Sequence, residues 1–362
     1  MKDYSAGVRV ILVLFLASTL FIGCSQGEDE PLTVYSGRSK PLVDGLVKQF
    51  EQQSDISVNV KYGKDAQLLA AIKEEGKQSP ADVYWANTTG ALSNAVDNEL
   101  LRELPSKLTD RAGRFVPSHK NWVPVTTRFR VLAYNSNKVD ASELPDSVLD
   151  LPEQSDLSGR IGWTPTYSSF QDFVTALRLT EGEDVARNWL QGVADLNPKS
   201  YTSNTPMIRA LKAGEIDVAL TNHYYVLRLK HGGAEGEFEG HEEEEEHEEE
   251  DENEGPEPDA PVQTHRFAEG DPGNLALVTG AGVLSTSSNQ EKARKFLTFL
   301  LSEKAQSFAA ERVNEYPVVP GVNVPEYMIP VEKALRLSPD FEPGRLSELD
   351  ATLQLLREEG IL

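Results

Sequence analysis

From Leu32 onward the chain alternates between two hydrophobic periods, and this alternation restricts its fold more than any other feature. Residues 32–35 form a short apolar strand segment ended by Ser36-Gly37. Apolar residues then stand at 42, 43, 46, 47 and 50, the spacing of one helix face. Ile56, Val58, Val60 and Tyr62 alternate as in a half-buried strand. Asp65 is placed to cap a helix over 65–75, with Gly76 at its end, and 81–85 is the next strand. The order β-α-β-α-β predicts an α/β domain with a largely parallel sheet. A second set follows: strands over 131–134, 160–163 and 216–220, and helices over 171–179, 183–193 and 207–213, the last stopped by Gly214. The apolar run 275–284 and a helix over 289–301 complete the pattern. The 362 residues suffice for about two domains, and a hydrophobic content of 39% supplies their cores.

The N-terminus reads as an address. Lys2 and Arg9 precede an apolar run over 10–23 that ends at Cys24. A membrane span needs about 20 apolar residues, so this shorter run reads as a signal-peptide core. Phe21-Ile22-Gly23-Cys24 resembles a bacterial lipoprotein signal, which implies lipidation of Cys24 as the first mature residue. Residues 24–31 read as a polar tether. Cys24 is the only cysteine, which excludes disulfides, cysteine metal clusters and a Cys nucleophile in the mature domain.

Two α/β lobes behind an export signal suggest a bilobal solute receptor, whose ligand sits beyond the carboxyl ends of the strands. The joins there are Tyr35-Ser36-Gly37-Arg38, Trp85-Ala86-Asn87, Trp163 to Tyr167 and Thr221 to Tyr225. They carry Arg, Asn, Ser, Thr and Tyr, with no paired carboxylates and no Ser/His/Asp set, so no enzyme is expected. Of six histidines only His223 lies at a strand end, and no phosphate-binding Gly-rich loop ending in Lys-Ser/Thr occurs.

Adjacent tyrosines after a short strand, Asn222-His223-Tyr224-Tyr225, are the most informative join. Thr221 to Val226 resembles the tyrosine pair of bacterial ferric-ion-binding proteins, the solute receptors of ABC-type iron(III) transporters. Further segments resemble the family in the same order. They include Tyr35 to Arg38, Gly162-Trp163-Thr164-Pro165-Thr166, Ala210 to Ile216, Gly270-Asp271-Pro272-Gly273, Gly280 to Val283 and Glu315-Tyr316-Pro317. The resemblance implies a periplasmic-binding-protein type II fold, two α/β lobes with a hinge between them. Lobe one is expected over 31–126 plus 276–322, and lobe two over 127–275 plus 323–362, with crossings near Thr126 and Val278.

The chemistry suits the implied cargo, since Fe³⁺ prefers anionic oxygen and a bound cation favours phenolate over phenol. Tyr224, Tyr225 and Tyr167 are the expected metal ligands. The resemblance implies carbonate or bicarbonate as a second ligand, with donors at Arg128, Asn204 and Asn222. Ser168 and Ser169 offer hydroxyls beside Tyr167. Arg38 offers a planar fork, and Asn87 and Tyr35 are expected to line the cleft from lobe one. The chain departs from many family members where they carry His, Tyr and Glu ligands: Ser39, Lys40 and Asn87 stand there instead. Metal binding is therefore expected to rest on the second lobe. Implied partners are a membrane permease with a separate ATPase, and the protein is expected as an exported monomer on the periplasmic or cell-surface side, lipid-anchored to a bacterial membrane. The alternatives are a metal-free receptor of the same fold for a small oxyanion or organic solute, and a surface lipoprotein that acts through its acidic loop.

That acidic loop distorts the charge balance. Positions 235–259 hold 16 Asp and Glu and no Lys or Arg, which leaves 42 acidic against 35 basic residues elsewhere. A nucleic-acid-binding surface is not indicated, because phosphate contacts need clustered cations. The span 232–260 is expected to be a disordered insertion, with His241 and His247 suited to weak divalent-cation capture at most.

Overall fold

The computed structural model describes residues 30–233 and 255–362. The expected signal, Cys24, the tether up to Asp29, and residues 234–254 of the acidic span lie outside the described residues.

Ten strands form one hydrogen-bonded array: β1 (Leu32–Ser36), β2 (Val58–Tyr62), β3 (Val83–Ala86), β4 (Val123–Asn135), β5 (Ile161–Trp163), β6 (Lys199–Ser200), β7 (Val218–Asn222), β8 (Val262–His265), β9 (Ala276–Val283) and β10 (Tyr316–Pro317). The order is β2-β1-β3-β9-β4-β7-β5-β6, with β8 and β10 also on β4. The expected parallel pairing holds in the two wings, where β1 joins β2 and β3, and β5 joins β6 and β7. The centre corrects it, because β9 runs antiparallel to β3 and β4, and β4 runs antiparallel to β7, β8 and β10.

Strand β4 joins the wings. Val123 to Phe129 pair with β9, and Arg130 to Tyr134 pair with β7. Its thirteen residues are buried almost throughout. Covering both faces erases the alternation that reveals a half-exposed strand, which is why only 131–134 was visible in the sequence.

The expected helices form, mostly longer than their periodic cores: Lys40–Ser54, Asp65–Glu75, Ser168–Glu181, Glu183–Asp195, Asn204–Ala213 and Gln290–Leu300. Gly214 ends the fifth of these in the left-handed region at φ 75°, a conformation that glycine adopts without strain. Asp65 does not cap its helix. It is the first helical residue, and its carboxylate accepts hydrogen bonds from the Asn87 and Thr88 amides and the Thr88 hydroxyl, all at 3.0–3.1 Å. Gly37 is required beside it, since a Cβ there would run into that carboxylate.

From Leu32 onward the chain is one compact unit. Its buried apolar side chains form three clusters. The first runs from Leu32 to Phe129 and resumes from Ala276 to Ala334, with Phe50 edge-on to Phe296 at 5.1 Å. The second gathers Leu132 to Leu277 with Leu346, Leu355 and Leu356. The third lies under Met207, Leu211, Tyr224 and Tyr225. No described helix is long and apolar enough to cross a membrane.

Candidate metal and anion site

Three helix starts converge beyond the ends of β5 and β7. Tyr167 is the N-cap residue of helix Ser168–Glu181, Asn204 opens helix Asn204–Ala213, and Asn222 is the N-cap residue of helix His223–His231. None of the three has a side-chain cap bond. Helix starts carry unpaired N–H groups and partial positive charge, so uncapped starts favour an anionic neighbour.

The tyrosines meet here. The Tyr167 and Tyr225 hydroxyls lie 2.6 Å apart in a buried hydrogen bond, and the Tyr225 ring stacks on Tyr224 with centroids 4.2 Å apart. All three expected metal ligands are thus brought together, although Tyr167 is 58 residues from Tyr225 in sequence. Among the described residues no group of three His, Cys, Asp or Glu is arranged to hold a metal. The phenol oxygens of the trio are hard donors.

Arg130 faces them, and the sequence reading missed it. It is 2% exposed, and its Nη1 donates to Asn222 Oδ1 at 3.1 Å and to Ser169 Oγ at 3.4 Å. Burial pushes its pKa down to about 10, against the opposing pull of Tyr225, Tyr224, Tyr167 and Asp172. Its Nη2 has no partner, and neither do the amide nitrogens of Asn204 and Asn222, each 0% exposed. Asn204 is fixed by the Thr221 hydroxyl, which donates to its Oδ1 at 3.0 Å. Buried donors without partners cost free energy. Arg130, Asn204 and Asn222 thus leave three buried donors unpaired in this region, one of them cationic. Ser169 is buried in this set, while Ser168 lies at the half-buried start of the helix.

Arg128 is held differently. Nη1 and Nη2 donate to the side-chain and backbone oxygens of Asn87, both at 2.9 Å. Arg38 also donates to Asn87 Oδ1, and its Nη2 makes a buried ion pair with Glu315 at 2.6 Å. Arg38, which follows β1, and Arg128 of β4 therefore share Asn87, which follows β3, and Glu315, just before β10, holds Arg38. Arg128 pairs with Leu277 of β9 and Arg130 with Asn222 of β7, so the two arginines serve opposite wings. Both stood in one segment, Thr127-Arg128-Phe129-Arg130. Strand alternation puts them on one face, but nothing in the sequence marks the change of partner strand between them.

The Tyr35 hydroxyl donates to Glu75 at 2.8 Å and accepts from Lys61 at 3.4 Å. Lys40 is exposed, and Ser39 makes no cap bond.

Three buried groups surround the site. Burial raises the Asp172 carboxyl to about 7; Arg128 and Arg130 pull it down, and Asp65 pushes it up. Burial alone would raise Glu315, but Arg38, Arg128 and the Thr126 hydroxyl outweigh it and hold the carboxyl below its usual value. His223 accepts from the Phe129 amide at Nδ1 and donates from Nε2 to the Asn314 carbonyl at 2.8 Å. Both ring nitrogens are satisfied as neutral imidazole, and burial, helped by Arg266, lowers its pKa to about 3.

Comparison with known proteins places the chain among extracellular solute receptors. Residues 32–312 match the model of the family described as bacterial extracellular solute-binding protein. The chain is 32% identical over 333 residues to the major ferric iron-binding protein of Neisseria meningitidis serogroup B, covering 91% of this chain and 93% of that one. It is 30% identical over 308 residues to iron uptake protein A1 of Synechocystis, covering 83% and 79%. Among solved structures, iron-bound HitA from Pseudomonas aeruginosa superposes with a TM-score of 0.78 at 31% identity, over 91% of this chain and 99% of that one. The Trichodesmium protein in complex with iron and citrate gives 0.74 at 27% identity, over 92% and 100%. The fold is the type II periplasmic-binding architecture of two α/β lobes.

Proposed function

We propose that this chain, which belongs to the family of bacterial extracellular solute-binding proteins, captures Fe³⁺ with a small anion and delivers it to an ABC-type importer. The observation that carries this reading is the buried trio Tyr167, Tyr224 and Tyr225, with Arg130 in electrostatic reach of all three and its Nη2 unpartnered, like the amides of Asn204 and Asn222.

Three phenolates supply three negative charges to a trivalent ion. Arg130 adds one positive charge, so a monoanion such as bicarbonate leaves the buried site near neutrality, the cheapest state for a site out of water. Arg130, Asn204 and Asn222 hold the anion, and Ser169 holds Arg130 in place. The relatives of known cargo support iron: the Neisseria protein is named for ferric iron binding and the Pseudomonas structure is iron-bound. The Trichodesmium structure holds citrate with iron, so the anion is to be tested rather than assumed.

Lobe one contributes closure. In this reading the lobes hinge where β4 and β9 cross, near Thr126 and Val278, as in other two-lobed receptors. Arg38, Asn87 and Arg128 then latch the lobes, and no ligand comes from Asn87. Cys24 tethers the protein to the membrane by lipid, a permease with its own ATPase receives the iron, and the receptor works as a monomer.

A ferric titration of the purified protein, with bicarbonate present and then absent, tests the proposal. Ferric–phenolate coordination gives a visible charge-transfer band. A saturable one-to-one band that disappears in Tyr224→Phe/Tyr225→Phe is expected. No band under either condition refutes it. The unpartnered donors would then favour the second reading, a metal-free receptor for a small oxyanion, detected by calorimetry without metal.

A further inference from the structure

Helix His223–His231 carries Arg228 one turn beyond the tyrosine pair, at i+4 from Tyr224 and i+3 from Tyr225. Its guanidinium carbon lies over both rings, 5.4 Å from each centroid. The rings are stacked on each other at 30°. One cation thus addresses two aromatic systems that the proposed function makes metal ligands. Arg228 is half-buried, so its charge is only partly screened.

We propose that Arg228 is a positioning residue for metal capture: it locks the Tyr224–Tyr225 stack and lowers the energy of the phenolate electrons that are donated to the metal. This inference rests on the ferric reading of the site. A cation over an aromatic face is attracted by the ring quadrupole, and more strongly once the ring carries phenolate charge. The metal binds at the phenolate oxygen, at the ring's edge, and so lies farther from a cation over the ring face than the ring itself does. Arg228 therefore stabilises the donor orbital more than the metal acceptor orbital. The ligand-to-metal transition is raised in energy, and the ring pair is held in one orientation toward the metal.

The test compares the ferric charge-transfer band of the full protein with those of Arg228→Met and Arg228→Lys. Methionine keeps much of the stem and removes the charge. Its band should move to longer wavelength by on the order of 10 nm, the scale set by a unit charge about 5 Å from the donor at an effective dielectric of about 20. Arg228→Lys restores a cation and should return most of the shift, which a purely structural role would not produce. Arg228→Gln gives the same reading if the methionine variant fails to fold. A coloured wild type with an unmoved band in the uncharged variants overturns the role of Arg228 and leaves the ferric site standing. A wild type without colour removes the ferric reading and this inference together.

Discussion

Replacing Arg130 and Arg128 separately discriminates between two arginines that stand two residues apart. In Arg130→Met the site loses a buried cation whose Nη2 has no partner, together with the bonds to Asn222 and Ser169. A hydrogen bond to a charged group is worth about 1.5–3 kcal/mol. At 1.4 kcal/mol per factor of ten, losing one weakens anion-dependent iron binding by roughly 10- to 100-fold. The assay is a ferric titration against a competing chelator over a series of bicarbonate concentrations. The apparent affinity of wild type should rise with bicarbonate, and that of Arg130→Met should be flat. Arg128→Met removes two bonds to Asn87 instead. It should lower folding stability and still respond to bicarbonate. The reverse pattern, a flat response in Arg128→Met and a rising one in Arg130→Met, would refute the assignment.

Other outcomes follow from the same contacts. Glu315→Gln strands the Arg38 charge in a site where both side chains are about 5% exposed, and should cost about 3–5 kcal/mol by urea unfolding. His223 binds its proton near pH 3 when folded and near 6.5 when unfolded, so its contribution is complete above pH 6.5 and is lost as pH falls toward 3. Between pH 6.5 and 5 that amounts to about 1.6 kcal/mol of unfolding free energy, and His223→Gln should flatten this part of the profile. Deleting residues 235–259 should leave ferric affinity within about twofold if the tyrosine trio is the site. Loss of binding on that deletion would return the function to the acidic segment.

Much of the fold was legible because its helices and β2 bury one face, while β3, β7 and β9 read as short apolar runs. Val58, Val60 and Tyr62 alternate in the sequence and form β2, and the apolar stripe 42–50 became one face of helix Lys40–Ser54. Strand β4 was not legible beyond a few residues, because burial on both sides leaves no period to read. The site divides the same way. Tyr224 and Tyr225 are neighbours in a recognisable segment, so the pair announced itself. Arg130 did not, since its role depends on β4 changing partners from β9 to β7 between Phe129 and Arg130, a tertiary fact with no local signal. Tyr35 sits at a strand end, and nothing in its segment signals that Glu75 and Lys61 take up its hydroxyl.

The passage of β4 through both wings also limits how the gene can change. A substitution at Arg128 or Arg130 alters one function at a time, but a change in length cannot. Deleting Phe129 would shift everything after it by one residue, and in a strand a one-residue slip turns every later side chain to the opposite face. The placement of Arg130, its bond to Asn222 and the packing of Leu132 would fail in one step. Homologues should therefore differ freely in the length of the segment between helix His223–His231 and β8, and not at all in the spacing between the two arginines.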